Sequence, residues 1–210
     1  MIPRVFFFTD GERGLAGRPL VRVIQELVAG GVDGIVLREF ERSGSELLDV
    51  IDALQAVRQA GARLLLSRRL DLARAGACDG VHLAADSIAI AEARRFLGPE
   101  ALIGYSAHSQ EEAHGAARAG ANYVSLSPVY STQSKPRLPG RGLSWLAQAC
   151  QDLEVPVLAL GGVTPARTDG ILSSGAWGVA AVSALGAANA LRGAARAFRA
   201  AIEETESTCA

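Results

Sequence analysis

Residues 155–167 read VPVLALGGVTPAR and, beyond a segment of helical character, residues 178–185 read GVAAVSAL. Val155 to Leu160 is a continuous apolar run with β-branched residues, the pattern of a strand buried on both faces of a parallel sheet, and it stops at Gly161 and Gly162. Paired glycines let backbone N–H groups approach an anion closely. Thr164 and Pro165 then read as an N-cap followed by proline at the first helical position, and Gly178 to Val182 is a second apolar strand, closed by Ser183. Two successive strand ends thus carry small residues and lead into helices, which predicts a phosphate cradle built from backbone N–H groups and helix dipoles. The plainer alternative makes Gly161, Gly162 and Gly186 ordinary turn residues.

The same punctuation runs through the rest of the chain. Strands are predicted at Val5 to Thr9, Gly34 to Arg38, Arg63 to Ser67, Gly80 to Leu83, Leu102 to Ser106, Tyr123 to Ser127, Val155 to Leu160 and Gly178 to Val182. Between them, Leu20, Val23, Ile24, Leu27 and Val28 fall on one helical face, as do Leu47, Leu48, Ile51, Leu54 and Val57. Glycines near 30, 61, 76, 120 and 175 sit where such helices end. Eight strand-helix repeats with right-handed crossovers close into a single (β/α)8 TIM barrel, the alternative being an open doubly wound sheet. In a chain of 210 residues the barrel takes residues 1–203 and leaves 204–210 as a frayed, flexible tail. Pro128 to Arg141, the longest loop, is the natural lid.

A net charge of -1 and 49% hydrophobic residues, without an apolar stretch long enough to cross a bilayer, give no support to nucleic-acid or membrane binding. Met1 is followed at once by the first strand, which favours the cytoplasm. Cys78, Cys150 and Cys209 lack metal-ligand or redox spacing and read as plain thiols. Trp145 and Trp177 read either as anchors of a homodimer interface or as helix-packing residues.

Several longer words carry a resemblance. VLRE (Val36 to Glu39), LDLARAGACDGVHL (Leu70 to Leu83), IGYSAHSQEEA (Ile103 to Ala113), SPVYSTQSKP (Ser127 to Pro136), LALGGVTP (Leu158 to Pro165) and AVSAL (Ala181 to Leu185) occur in one order and spacing. In these words the chain resembles the thiamine-phosphate synthase and TenI family from the first strand to the last helix. The resemblance implies a role in thiamine biosynthesis. A synthase joins hydroxymethylpyrimidine diphosphate to a thiazole phosphate, with Mg²⁺ helping diphosphate to leave, whereas TenI relatives include a thiazole tautomerase. The resemblance further implies that the backbone of Gly161, Gly162, Val182 and Ser183 holds the thiazole phosphate, joined by Thr132, Ser134 and Lys135 from the loop. Lys135, the single lysine of the chain, is also a catalytic candidate, and Arg38 and Ser106 are candidate substrate contacts.

The pyrimidine-diphosphate half departs from the family pattern. The synthase Gln-x-Arg-x-Lys appears as Val36, Arg38 and Phe40, and its Asn-Asp-Arg as Ser67, Arg68 and Arg69. The Asp expected to ligate Mg²⁺ is therefore a cation. The next family carboxylate falls near Asp86, one place early, where it reads as the cap of the following helix. Arg68 and Arg69 either grip a diphosphate directly or are structural, with Arg69 paired to Asp71 or Glu39 and Arg68 facing solvent. Loss of the metal carboxylates, together with the Gly140 to Gly142 GRG, leans toward a TenI-like protein without a metal or other cofactor, Mg²⁺ entering only for a synthase.

The acid/base histidine of TenI relatives aligns with Pro128. Of His82, His108 and His114, His82 is the first choice for a proton shuttle, although a structural or substrate-contact role suits both His82 and His108. Nothing in the sequence places a base beside Ser106. Three readings follow: a TenI-like tautomerase acting on a thiazole phosphate, a divergent synthase, or a non-catalytic protein that binds thiazole phosphate or thiamine phosphate.

Overall fold

The computed structural model describes residues 1–11, 15–132 and 138–209, with side chains described through Ser207. Strands and helices alternate: β1 (Val5–Phe8), α1 (Leu20–Ala29), β2 (Gly34–Leu37), α2 (Gly44–Ala53), α3 (Gln55–Gln59), β3 (Arg63–Ser67), α4 (Leu70–Ala75), β4 (Gly80–Leu83) and α5 (Ile90–Leu97). The second half continues with β5 (Leu102–Ala107), α6 (Gln110–Arg118), β6 (Tyr123–Leu126), α7 (Leu143–Gln151), β7 (Val157–Leu160), α8 (Pro165–Ser173), β8 (Gly178–Ala181), α9 (Ser183–Gly186) and α10 (Leu191–Cys209). All neighbouring strands are parallel, and β8 closes on β1 through Val5↔Val179, so the chain is a single (β/α)8 barrel. The apolar run that begins at Val155 enters the sheet only at Val157. Pro156 has no N–H for the ladder, although its carbonyl still accepts from Val124 N.

Alternation along the strands sorts the core into two. Val5 and Phe7 point outward to the helices, into the large core they share with residues such as Leu27, Ile51 and Phe198. Phe6 and Phe8 point inward and fill the barrel with Val36, Leu65, Tyr123, Leu158 and Ala180. Bulky residues face glycines there. A Cβ on Gly34 would lie 2.6 Å from the Phe6 ring, and one on Gly104 would lie 2.2 Å from Tyr123 Cζ and 2.5 Å from His82 Nδ1. Gly104→Ala is accordingly expected to lower the unfolding free energy by about 2 kcal/mol in urea titration; a change below about 0.5 kcal/mol would show that the interior has slack.

The barrel floor is stapled by a repeated device. The residue just before β2, β4 or β6 is Asp33, Asp79 or Asn122, and its side-chain oxygen accepts from a strand N–H next door: Val5 N at 2.8 Å, Leu64 N at 2.8 Å and Ile103 N at 2.8 Å. Arginines clasp each from outside, namely Arg199 on Asp33, Arg58 and Arg63 on Asp79, and Arg94 on Asn122. Burial raises the Asp79 carboxyl pKa, but the hydrogen bonds from Arg58, Leu64 N and Arg63 outweigh it and hold the group below its ordinary value.

The tail expected after Glu203 instead continues α10 to Cys209. Leu191, Ala195, Phe198 and Ile202 form a buried stripe that Thr205 extends at helical spacing. Thr205 Oγ1 donates to Asp169 at 3.2 Å, and Arg4 pairs with Glu206. Burial pushes the Cys78 thiol up to about 12 and the Cys150 thiol to about 11, so neither offers a thiolate. Among the described residues no helix is long and apolar enough to cross a membrane.

Candidate functional site

The C-terminal ends of the strands open into a cavity of about 270 Å³, and residues from or just beyond every strand line it. This is the catalytic face of such barrels. On one side lie Gly161, Gly162, Val182 and Ser183; across the mouth lie Arg38, Phe40 and Arg68, while Ser106 and His82 lie between.

The glycines are required twice over. Gly161 and Gly162 have φ of +95° and +63°, which side chains rarely adopt, and a Cβ on Gly162 would sit 2.6 Å from Ser131 O. The loop after β6 is laced to them: Val129 N and Tyr130 N donate to the carbonyls of Leu160 and Gly161. Arg167 lies over the Tyr130 ring and donates to Gly162 O. On the return path Arg141 N and Gly142 N donate to Pro128 O and Val129 O. The first described end of the expected lid is therefore sewn to the end of β7, and the second end is sewn to the first. Thr164 is the N-cap of α8 with Pro165 following it, and Val182 caps α9, so two helices begin beside the cradle.

At the bottom of the cavity the pairing register explains a polar network. His82 lies opposite Gly104, and Gly104 opposite Tyr123. With no side chain between them, His82 Nδ1 meets Tyr123 Oη at 3.0 Å. The other ring nitrogen, Nε2, lies 3.0 Å from Ser106 Oγ and 3.2 Å from Ser125 Oγ. Each ring nitrogen thus has a hydroxyl partner, and since a hydroxyl can donate or accept, the neutral ring is satisfied on both sides. Burial, helped by the nearby Arg38 charge, pushes the His82 pKa down to about 3. His82 is thus a neutral ring with both nitrogens engaged by hydroxyls. The structure also corrects the expectation that no base neighbours Ser106. The neighbour is His82, whose Nε2 lies 3.0 Å from Ser106 Oγ.

The arginines are anchored from behind. Arg38 donates to Thr9 O and, at 2.7 Å, to Asp10 Oδ1. Arg68 pairs with Asp86 at 2.5 Å and lies over Phe40, 5.2 Å from the ring centroid. Asp86 therefore does not cap the next helix, whose N-cap is Ala89; its carboxylate is drawn to the guanidinium instead. Arg69 is not among the cavity residues, because its guanidinium is held by Asp71 at 2.8 Å at the start of α4, while Glu39 pairs with Arg42.

Mg²⁺ wants several carboxylate or water oxygens. No carboxylate is among the described residues that line the cavity, and no described cluster of His, Cys, Asp and Glu could hold a metal. The described residues do not fit a divalent cation.

Of the sequence-derived candidates, Arg38, Arg68, His82, Ser106, Thr132, Gly161, Gly162, Val182 and Ser183 share this one cavity. Ser134 and Lys135 lie outside the described residues. Asp10 and Tyr123 escaped the sequence reading, while Asp86 was read as a helix cap; the signal for Tyr123 was its alternation with Ser125 on the strand facing Gly104 and Ser106.

The chain matches the family model described as thiamine monophosphate synthase over residues 5–185. It is 38% identical over 187 residues to a thiamine-phosphate synthase of Syntrophomonas wolfei, covering 88% of this chain and 90% of that one. It is 39% identical over 197 residues to a thiamine-phosphate synthase of Methanoculleus marisnigri, covering 93% of each. A thiamine phosphate pyrophosphorylase from Pyrococcus furiosus superposes with a TM-score of 0.85 at 29% identity over 96% of both chains.

Proposed function

The chain belongs to the thiamine monophosphate synthase family, and from that premise we propose that it is a synthase joining a hydroxymethylpyrimidine diphosphate to a thiazole phosphate. The observation that carries this reading is one cavity with two anion-compatible ends, the glycine cradle after β7 and β8 and the arginine pair after β2 and β3. A protein that handled a thiazole phosphate alone has use for only the first of them.

In this reading the cradle fixes the thiazole phosphate through backbone N–H groups at Gly161, Gly162, Val182 and Ser183, with Thr132 adding a hydroxyl. Arg38 and Arg68 face the diphosphate, and the apolar wall of Phe8, Phe40 and Leu83 accommodates the pyrimidine ring. Ser106, held by His82 and Ser125, presents its hydroxyl to a polar group of the substrate. The bond from the pyrimidine methylene to oxygen breaks with its electron pair leaving on diphosphate, and the thiazole nitrogen lone pair forms the new carbon–nitrogen bond. Holding both substrates in line is the main work of such a site.

The thiazole tautomerase reading draws no support from His82, whose nitrogens are both engaged. Incubating the protein with both substrates and following thiamine phosphate by mass spectrometry is expected to show product. Isomerisation of a thiazole carboxylate phosphate without any condensation would favour the tautomerase, and binding without turnover of either kind would leave a carrier or sensor.

A further inference from the structure

The cationic end of the cavity points beyond a family resemblance that implies Mg²⁺. We propose that Arg68, braced by Asp86 and Phe40, supplies with Arg38 the positive charge for a diphosphate, so that this site binds it without a divalent cation. The inference rests on the synthase reading for the identity of the natural ligand, but the anion site stands on its own geometry.

Three observations carry it. The first is the donor set: two guanidiniums and no described carboxylate line the cavity, the composition of an anion site. A second is orientation. Arg38 and Arg68 each have an aspartate on one guanidinium nitrogen, at 2.7 Å and 2.5 Å, and Arg68 is further held against Phe40. A guanidinium has five N–H donors, so one carboxylate contact leaves others for an incoming phosphate. The third is backbone conformation. Arg68 has φ of +65°, a left-handed conformation unfavourable for a residue with a Cβ. Glycine would be better tolerated at that turn, and the arginine found there places its guanidinium on Asp86 and Phe40 at the cavity rim. Asp86 then serves as brace for a cation rather than as ligand of one.

The test is calorimetric titration with inorganic pyrophosphate, in EDTA and again in Mg²⁺, on the parent, Arg68→Gly and Asp86→Asn. The parent is expected to bind pyrophosphate in EDTA, with Mg²⁺ tightening it by no more than about threefold. Arg68→Gly relieves the strained turn and is expected to melt no lower than the parent while losing about ten- to a hundredfold in affinity, the worth of a charge-assisted contact. Asp86→Asn keeps a side-chain oxygen to accept from Arg68 while removing a negative charge, and is expected to bind no more weakly in EDTA. Pyrophosphate binding that needs Mg²⁺, or an Arg68→Gly protein that binds like the parent, would overturn the proposal. So would loss of Mg²⁺-supported binding in Asp86→Asn, which would make Asp86 a metal ligand. The condensation assay in EDTA separates the two readings. Metal-free pyrophosphate binding with no product under any condition supports the anion site while removing the synthase; product formed only with Mg²⁺ does the reverse.

Discussion

Gly162→Val is expected to raise the dissociation constant for thiazole phosphate by at least about a hundredfold, roughly 2.7 kcal/mol of lost binding. A β-branched residue is poorly compatible with φ of +63°, and its Cβ would press to 2.6 Å from Ser131 O and 2.8 Å from Tyr130 Cβ. The turn must therefore move away from the loop after β6. Because that loop is tied to Leu160 and Gly161 by backbone hydrogen bonds, the cradle and its neighbour shift together and the N–H groups lose their common aim. Calorimetry with thiazole phosphate measures the loss, and a thermal melt separates it from unfolding. Affinity within about threefold of the parent in a folded variant would mean that the phosphate sits elsewhere.

The second large effect is acid sensitivity. His82 has its pKa pushed down to about 3 in the folded protein, by burial first and by Arg38 second, whereas an exposed histidine in the unfolded chain titrates near 6.5. Between these values the unfolded state holds a proton that the native state refuses. Stability contributed by neutral His82 is therefore complete above about pH 6.5 and declines as pH falls, by about 1.4 kcal/mol per unit, approaching about 5 kcal/mol near pH 3. The lowered carboxyls Asp79, Asp71 and Glu46 act below their ordinary values, so the range from 6.5 to 5 isolates the histidine. Urea unfolding across it should show the parent losing about 2 kcal/mol more than His82→Asn, which carries no titrating ring. Equal slopes in the two proteins would mean that the ring is protonated in the native state at little cost.

Much of the architecture was legible because strand and helix periodicities alternate without interruption, and three predicted strand ends, at Ser67, Leu83 and Leu160, coincide with the observed ones. Gly161 and Gly162 stood out because a double glycine between a strand and a capped helix has few other uses. The polar network was hidden because it depends on register. Only when His82 and Tyr123 are placed on either side of Gly104 do they meet, and no local pattern states that pairing. Asp86 was misread for a similar reason: its partner Arg68 is 18 positions away, and a lone aspartate ahead of a helix reads first as a cap. The staples did leave a trace, since VDGIV at 32–36 and CDGVH at 78–82 are near-copies, but their meaning lies in the neighbouring strand's N–H.

Those staples also bear on how such a protein changes over evolutionary time. Asp33, Asp79 and Asn122, each with its arginine clasp, concentrate fold-holding polar interactions at the end of the barrel remote from the ligand. The opposite rim is thereby released from structural duty. A lineage can exchange an acidic residue for a basic one there, or lysine for phenylalanine, and test a new way of holding substrate while the scaffold beneath stays intact.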